Sequence, residues 1–298
     1  MATAKMFDLD QALSFTIPGR HARGRIVRLG PVLDEVLKPH NYPPQIETLL
    51  VEALTLTALL GAMLKEAGGQ LTVQAQTERG IVSLLVCDYR DGELRGYAKY
   101  DPEKLALYGK KLSLKTLMGT GYLAITFDQA LTEERYQGIV PLDAESLAEA
   151  AELYFSQSEQ IPSLVRICAT HEVGVGAIGG GMLIQHLPEG EEGRDRIHTR
   201  LDHPEWEHVR ILGGTIKPDE LTDQDLPLER IIWRLFNEES EIRTTGLVPL
   251  KKGCRCDLDH IRSVLMRFPE SERADMAGDD GLITVDCAFC SRNFNVTL

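Results

Sequence analysis

The sequence predicts an α+β protein: an N-terminal, mainly antiparallel sheet domain with packed helices, a charged helical linker and a small C-terminal metal-binding unit. Three observations carry this. Apolar residues fall at helical spacing from 43 to 65, then in short alternating or continuous runs between glycine-rich breaks as far as 187. After Pro188 the composition turns strongly acidic, and four cysteines cluster near the end. Strands that follow one another without regularly interposed helices fit an antiparallel sheet better than βαβ units. With 298 residues and 43% hydrophobic content the chain is long enough for about two domains and a substantial core.

In chain order, Ile46, Leu49, Leu50, Ala53, Leu54, Leu60 and Leu64 define one helical face, with Pro43 and Pro44 suited to its start and Gly68-Gly69 to its stop. Leu71, Val73 and Ala75 then alternate with polar residues, 81–86 is a short apolar run, and 97–100, 122–127 and 136–140 read as further strands. Asp143 suits the N-cap of a helix running to about Ser158, followed by strands around 164–169 and 182–187. Between residues 188 and 241 there are 15 acidic and 7 basic residues, with few large apolar ones outside 231–236. Helix starts at Asp202-His203-Pro204 and Leu226-Pro227 predict several short, weakly buried helices that unfold easily, because little burial offsets their ordering entropy. A stably folded, charged helical subdomain fits the same composition. From 248 to 298 the pattern gives a helix over 257–268 (Leu258, Ile261, Val264, Leu265, Phe268) and a hairpin with strands 282–285 and 294–296.

A net charge of -13 repels phosphate backbones and disfavours nucleic acid as a partner. The most apolar segment, 51–64, is too short to span a bilayer and carries Glu52, Thr55 and Thr57, so no membrane partner is expected. No secretory signal is visible in residues 1–20, which makes the cytoplasm the expected location. There is no Walker A, G-x-S-x-G or H-E-x-x-H sequence, so no nucleotide and no hydrolase chemistry is expected. Gly174 to Gly179 matches G-x-G-x-x-G, but Gly180-Gly181 and a run ended by Pro188 leave no room for the helix that motif needs; a glycine-rich turn between strands is the reading. His198, His203 and His208 recur every five residues and read as surface histidines. Cys87 and Cys168 lie in apolar strands and read as buried and inert. Trp206 and Trp233 are expected to pack against the N-terminal sheet.

Cys254-Arg255-Cys256 and Cys287-Ala288-Phe289-Cys290 stand thirty residues apart. Two close pairs, one at a hairpin tip, suit a tetrahedral four-thiolate site for one zinc ion per chain, and clustered cysteines in a reducing compartment are metal ligands more often than disulfides. Such a site leaves no open position for catalysis. It is a permanent staple, a nucleic-acid-binding ribbon or a redox switch. Five basic against eight acidic residues from Cys254 onward disfavour the ribbon. The switch is chemically reasonable, because each thiolate has another cysteine at hand after oxidation. A thiol-disulfide oxidoreductase built on Cys287 and Cys290 would want a free pair at a helix start, which this hairpin does not offer.

The cysteine pattern resembles the redox-regulated heat-shock chaperonin of 33 kDa, a family whose likeness extends over nearly the whole chain. Leu114-Lys115-Thr116-Leu117 with Gly119, Gly121 and Tyr122 is similar to a family segment, as are Glu134-Arg135-Tyr136-Gln137-Gly138, Tyr154-Phe155 with Ser158-Glu159-Gln160, Gly180-Gly181-Met182-Leu183 and Trp233-Arg234-Leu235. The resemblance implies an N-terminal chaperone domain (1–187), a metastable helical linker (188–247) and a C-terminal zinc domain (248–298). It implies an ATP-independent holdase rather than an enzyme, inactive when reduced and zinc-bound. Oxidation would join Cys254 to Cys256 and Cys287 to Cys290, release zinc, unfold the linker, favour a homodimer and open a surface for unfolded client proteins. The alternative is a constitutive binding module with a purely structural zinc.

Overall fold

The computed structural model describes residues 9–64, 67–109, 112–130, 134–172, 176–187, 203–278 and 280–297. The chain begins with β1 (Gln11–Ile17), β2 (Ala22–Leu29), α1 (Pro31–Leu37) and α2 (Pro44–Gly61). Next come β3 (Gln70–Thr77), β4 (Val82–Arg90), β5 (Glu93–Tyr100), α3 (Pro102–Ala106), α4 (Leu114–Met118), β6 (Gly121–Asp128) and β7 (Arg135–Pro141). After α5 (Leu147–Tyr154) follow β8 (Ser163–Glu172) and β9 (Gly176–His186). The linker region holds α6 (Pro204–Gly214), α7 (Pro218–Thr222) and α8 (Leu228–Phe236), and the short strands β10 (Arg243–Thr244), β11 (Val248–Pro249) and β12 (Lys251–Lys252) lead out of it. The chain ends with α9 (Leu258–Leu265), α10 (Glu270–Met276), β13 (Ile283–Asp286) and β14 (Asn293–Val296).

Helix α2 organises the core. Thirteen of its 18 residues are buried, so it is apolar on nearly every side and needs cover from two layers. Two six-stranded sheets provide it, one ordered β10-β1-β2-β9-β8 with β11 also on β1, the other β12-β5-β4-β3-β6-β7. All pairings are antiparallel except β12 on β5. Two hydroxyls of α2 are fully buried, and each donates to the carbonyl four residues back: Thr55 to Val51 at 2.8 Å, Thr57 to Ala53 at 2.7 Å.

The helical linker departs from the expectation of weak burial. Trp206, Val209, Leu221, Ile231, Ile232 and Phe236 are buried on the outer face of the first sheet, against Leu13, Phe15, Ile17, Met182 and Ile184. Most of the acidic residues turn outward, Glu205 and Glu239 excepted, so composition hides an amphipathic layer whose apolar members are mostly scattered along the sequence. Trp233 is a correction: it is 50% exposed, with the Arg230 guanidinium 4.4 Å above its ring. Arg28 pins this layer from below. The side chain is buried, and it donates to the carbonyls of Leu221 (2.9 Å), Leu226 (2.7 Å) and Glu220 (3.1 Å) around the C-terminal end of α7, where a cation is favoured.

Other expectations need correction. Ser146, not Asp143, caps α5, its hydroxyl accepting from the Glu149 N–H at 3.2 Å, and after Tyr154 the helix widens into a π turn over Phe155–Glu159. Gly179, Gly180 and Gly181 lie inside β9, paired on both sides, rather than in a turn. A Cβ on Gly180 would stand 2.4 Å from the Leu221 carbonyl oxygen, so the bare strand is what lets α7 lie on the sheet. Gly174 and His198 fall outside the described residues. His203 and His208 are half-buried rather than surface groups: His203 caps α6, and His208 Nε2 stands 2.8 Å from Glu239. Cys87 is fully buried and burial pushes its thiol up, whereas Cys168 is half-buried and is pushed up by burial in the same way. Among the described residues no helix is long and apolar enough to cross a membrane.

Candidate metal centre

The C-terminal unit has a very small core, made of Leu265, Ile283 and Val296 with Ile261, Ala277 and Val285 beside them. Most of the helix face expected over 257–268 is on the surface, with Leu258, Val264 and Phe268 all exposed. Burial of this extent cannot hold about fifty residues alone, and metals or disulfides do so in small domains.

The cysteines supply such a staple. β13 and β14 form a hairpin whose tip folds back on itself: Cys290 and Ser291 donate their N–H groups to the Cys287 carbonyl at 3.2 and 2.8 Å, and Cys287 N–H donates to the Arg292 carbonyl at 2.9 Å. Ser291 takes a left-handed conformation (φ 53) that closes the turn. The other pair lies between β12 and α9, where Asp257 caps the helix through the N–H groups of Asp259 and His260. The turn and the cap bring the four sulfurs together. Cys254 and Cys256 are 3.4 Å apart, Cys254 and Cys287 3.6 Å, and Cys256 and Cys290 3.6 Å, with all four sulfurs within 4.8 Å of one another.

These separations exceed a disulfide bond of about 2.05 Å, and all six cysteines are free thiols. They lie close to the ~3.8 Å edges of a tetrahedron of sulfurs placed ~2.3 Å from a central zinc. The four cysteines could therefore hold a metal ion, and an all-sulfur donor set of this size suits zinc. The electrostatics agree. Burial pushes the Cys254 thiol up, but the Cys256 N–H and the neighbouring thiols outweigh it and hold it down, at about 7. Burial and the neighbouring Cys254 push Cys256 up to about 12, and burial also raises Cys287. Four thiolates this close together repel one another, and a cation between them offsets that repulsion.

The metal site is also a docking surface, a feature that sequence reading did not find. Phe289, inside Cys287-Ala288-Phe289-Cys290, meets Tyr97 edge-on at 4.9 Å, and the Arg95 guanidinium lies 4.0 Å above its ring. Arg95 is held in place by the buried Asp88 at 2.6 Å. His40 Nε2–H donates to the Phe289 carbonyl at 3.1 Å and its Nδ1 accepts from the Ser291 hydroxyl at 3.3 Å; burial lowers His40's affinity for a second proton, in keeping with this neutral ring. On the other cysteine pair, Arg255 donates to Gln70. Next to it, β12 extends the second sheet by pairing with Glu93 and Leu94 of β5. No local signal marks these contacts, because the partners lie about 160 to 250 positions apart in sequence.

Comparison with known proteins agrees with this architecture. The family model described as Hsp33 protein matches residues 10–297. A 33 kDa chaperonin of Caulobacter vibrioides is 42% identical over 296 residues, covering 97% of this chain and 95% of the relative. A 33 kDa chaperonin of Yersinia pestis is 33% identical over 97% of this chain and 92% of its own length. The crystal structure of a 33 kDa chaperonin from Thermotoga maritima superposes with a TM-score of 0.76, at 22% identity, over 97% of this chain and 95% of that one, which shows the shared fold. By the extent of the family match and the identity to its relatives, the chain belongs to the Hsp33 protein family, a family of chaperones rather than enzymes.

Proposed function

We propose that this chaperone is an ATP-independent holdase whose client surface is switched by the redox state of its four C-terminal cysteines. In this reading 1–187 is the chaperone domain, 188–247 the cover and 248–298 the sensor. The observation that supports it most is the position of Phe289: the loop that carries two of the sulfurs is the same loop that docks on Arg95, Tyr97 and His40. Cys254, Cys256, Cys287 and Cys290 would hold one zinc ion in the reduced state. Bound there, zinc supplies folding free energy that the small tail lacks, about 10–16 kcal/mol in comparable small domains.

Oxidation by peroxide joins two thiols in one disulfide. Two S–H bonds break, one S–S bond forms, and the two electrons and two protons reduce one peroxide to two waters. By the family resemblance the pairs would be Cys254–Cys256 and Cys287–Cys290; distance alone does not choose them, since each sulfur also lies 3.6 Å from one in the other pair. Once the thiolates are consumed, the loop geometry that presents Phe289 is lost, and β10 to β12 lose the anchor that ends the linker. The face formed by Leu13, Phe15, Ile17, Met182 and Ile184 then becomes available to unfolded segments of cytoplasmic clients, and between copies to a homodimer contact. No nucleotide, nucleic acid or membrane enters the cycle.

Zinc release and thiol loss, followed beside an aggregation assay while reduced protein is treated with peroxide and mild heat, test this. One zinc per chain and four thiols should be lost as suppression of client aggregation appears. Phe289→Ala keeps every sulfur and should hold its zinc, yet suppress aggregation partly while still reduced. Equal suppression by reduced, zinc-loaded protein and by oxidised protein would replace the switch with a constitutive binding module on a structural zinc.

A further inference from the structure

A second group of metal-type ligands lies where the linker meets the first sheet. His186, the last residue of β9, is 1% exposed. His203 caps α6, and Glu205 lies in its first turn. One ligand atom from each of these three residues lies within 4.8 Å of the others, and the two imidazoles pack tilted by 36° with centroids 5.0 Å apart. Glu205 Oε2 is sealed from solvent and accepts no hydrogen bond among the described residues. The His21 ring stands 3.8 Å from that oxygen, outside hydrogen-bonding range but close enough to act as a fourth ligand or to orient the carboxylate.

We propose that His186, His203 and Glu205 form a second metal site, for a divalent transition ion of the zinc or nickel class, which ties the N-terminus of α6 to the sheet. Two imidazoles and one carboxylate are a donor set such ions take, with a fourth position left for water or His21. The helix dipole opposes a cation at this end of α6, but Glu205 and Glu207 in the first turn offset it. His203 Nδ1 now accepts the Glu205 N–H at 3.3 Å. If the ion takes Nε2, Nδ1 must carry the proton, and this long cap bond is exchanged for coordination. The ligands come from both sides of the interface that lifts in a linker release, so an ion bound here stabilises the covered state by mass action. Nitrogen and oxygen donors are not consumed by peroxide, which separates this site chemically from the cysteine cluster.

The test uses reduced full-length protein with one zinc per chain already in place, titrated with Ni2+ by calorimetry, with metal content measured after dialysis. One further ion per chain should bind to the reduced protein. His203→Asn keeps a capping oxygen and Glu205→Gln keeps the side-chain shape; each should weaken the second ion about tenfold or more while the first zinc and the circular dichroism stay unchanged. The proposal is overturned if wild type takes up no second ion, or if both variants bind it as wild type does. The cysteine switch can hold or fail independently of each of these outcomes.

Discussion

Glu52 sits on α2 with its carboxyl mostly enclosed, and burial pushes it up to about 7. A carboxyl whose folded value lies above the unfolded one binds its proton more tightly in the native state. Its contribution to stability is therefore full below about pH 4.5 and is lost as pH rises toward 7. Glu52→Gln should raise the stability of the reduced protein at pH 7.5, by on the order of 2–3 kcal/mol, and leave it nearly unchanged at pH 4; denaturant midpoints at the two pH values check this. Glu239 works in the opposite direction. Burial alone would raise it, but hydrogen bonds and ion pairs from Arg20 (2.9 Å) and His208 (2.8 Å) hold it below the usual carboxylate range, so its contribution is lost in acid. The four cysteines were legible residue by residue, because metal-ligand spacing is a local signal. Phe289 was not: an aromatic inside a Cys-x-x-Cys loop carries no mark of what it will touch.

At the scale of elements, the interface between α6–α8 and the first sheet decides whether the apolar face is open. Arg28 satisfies three carbonyls at the end of α7 from within a strand, and burial lowers it only to about 10, so it stays charged at neutral pH. Arg28→Met removes those donors and should weaken linker docking by about 2–4 kcal/mol, since buried acceptors are left without partners. Limited proteolysis of the reduced variant should cut within 203–242 many times faster than wild type, with the strands left intact. Helix α2, strands β3 to β8 and the later part of β9 were visible in the sequence through helical spacing and short alternating or continuous apolar runs. β1 and β2 were not. β2 carries Arg23, Arg25 and Arg28, which reads as polar, yet Arg25 donates to the Ala62 carbonyl at 3.0 Å and Arg28 to the linker. Their charges are placed by tertiary acceptors that no local pattern announces. The burial of the linker was missed for a related reason, since Trp206, Val209 and Leu221 are each flanked by charged or polar residues and form a face only once three short helices align.

Across the whole molecule, the parts form a chain of dependence. The sheet face needs a cover, the cover ends in β10 to β12 along the two sheets, and those strands lead into a tail whose core is three buried side chains and whose sulfurs lie at metal-binding separations. Without its metal the tail has the smallest core of the three parts, so a chemical event there is best placed to free the rest. The α+β class and the family likeness were readable from the sequence; the route by which the tail could act on the linker required the contacts around Phe289.

Hydrogen exchange on α6–α8 and on β13–β14, followed in reduced, zinc-loaded protein and again after peroxide, tests that coupling most directly. The account predicts that both regions lose protection together, while α2 and β3–β6 keep theirs, and that client binding rises over the same interval. Protection retained in α6–α8 after the tail has opened, with client binding switched on regardless, would contradict it.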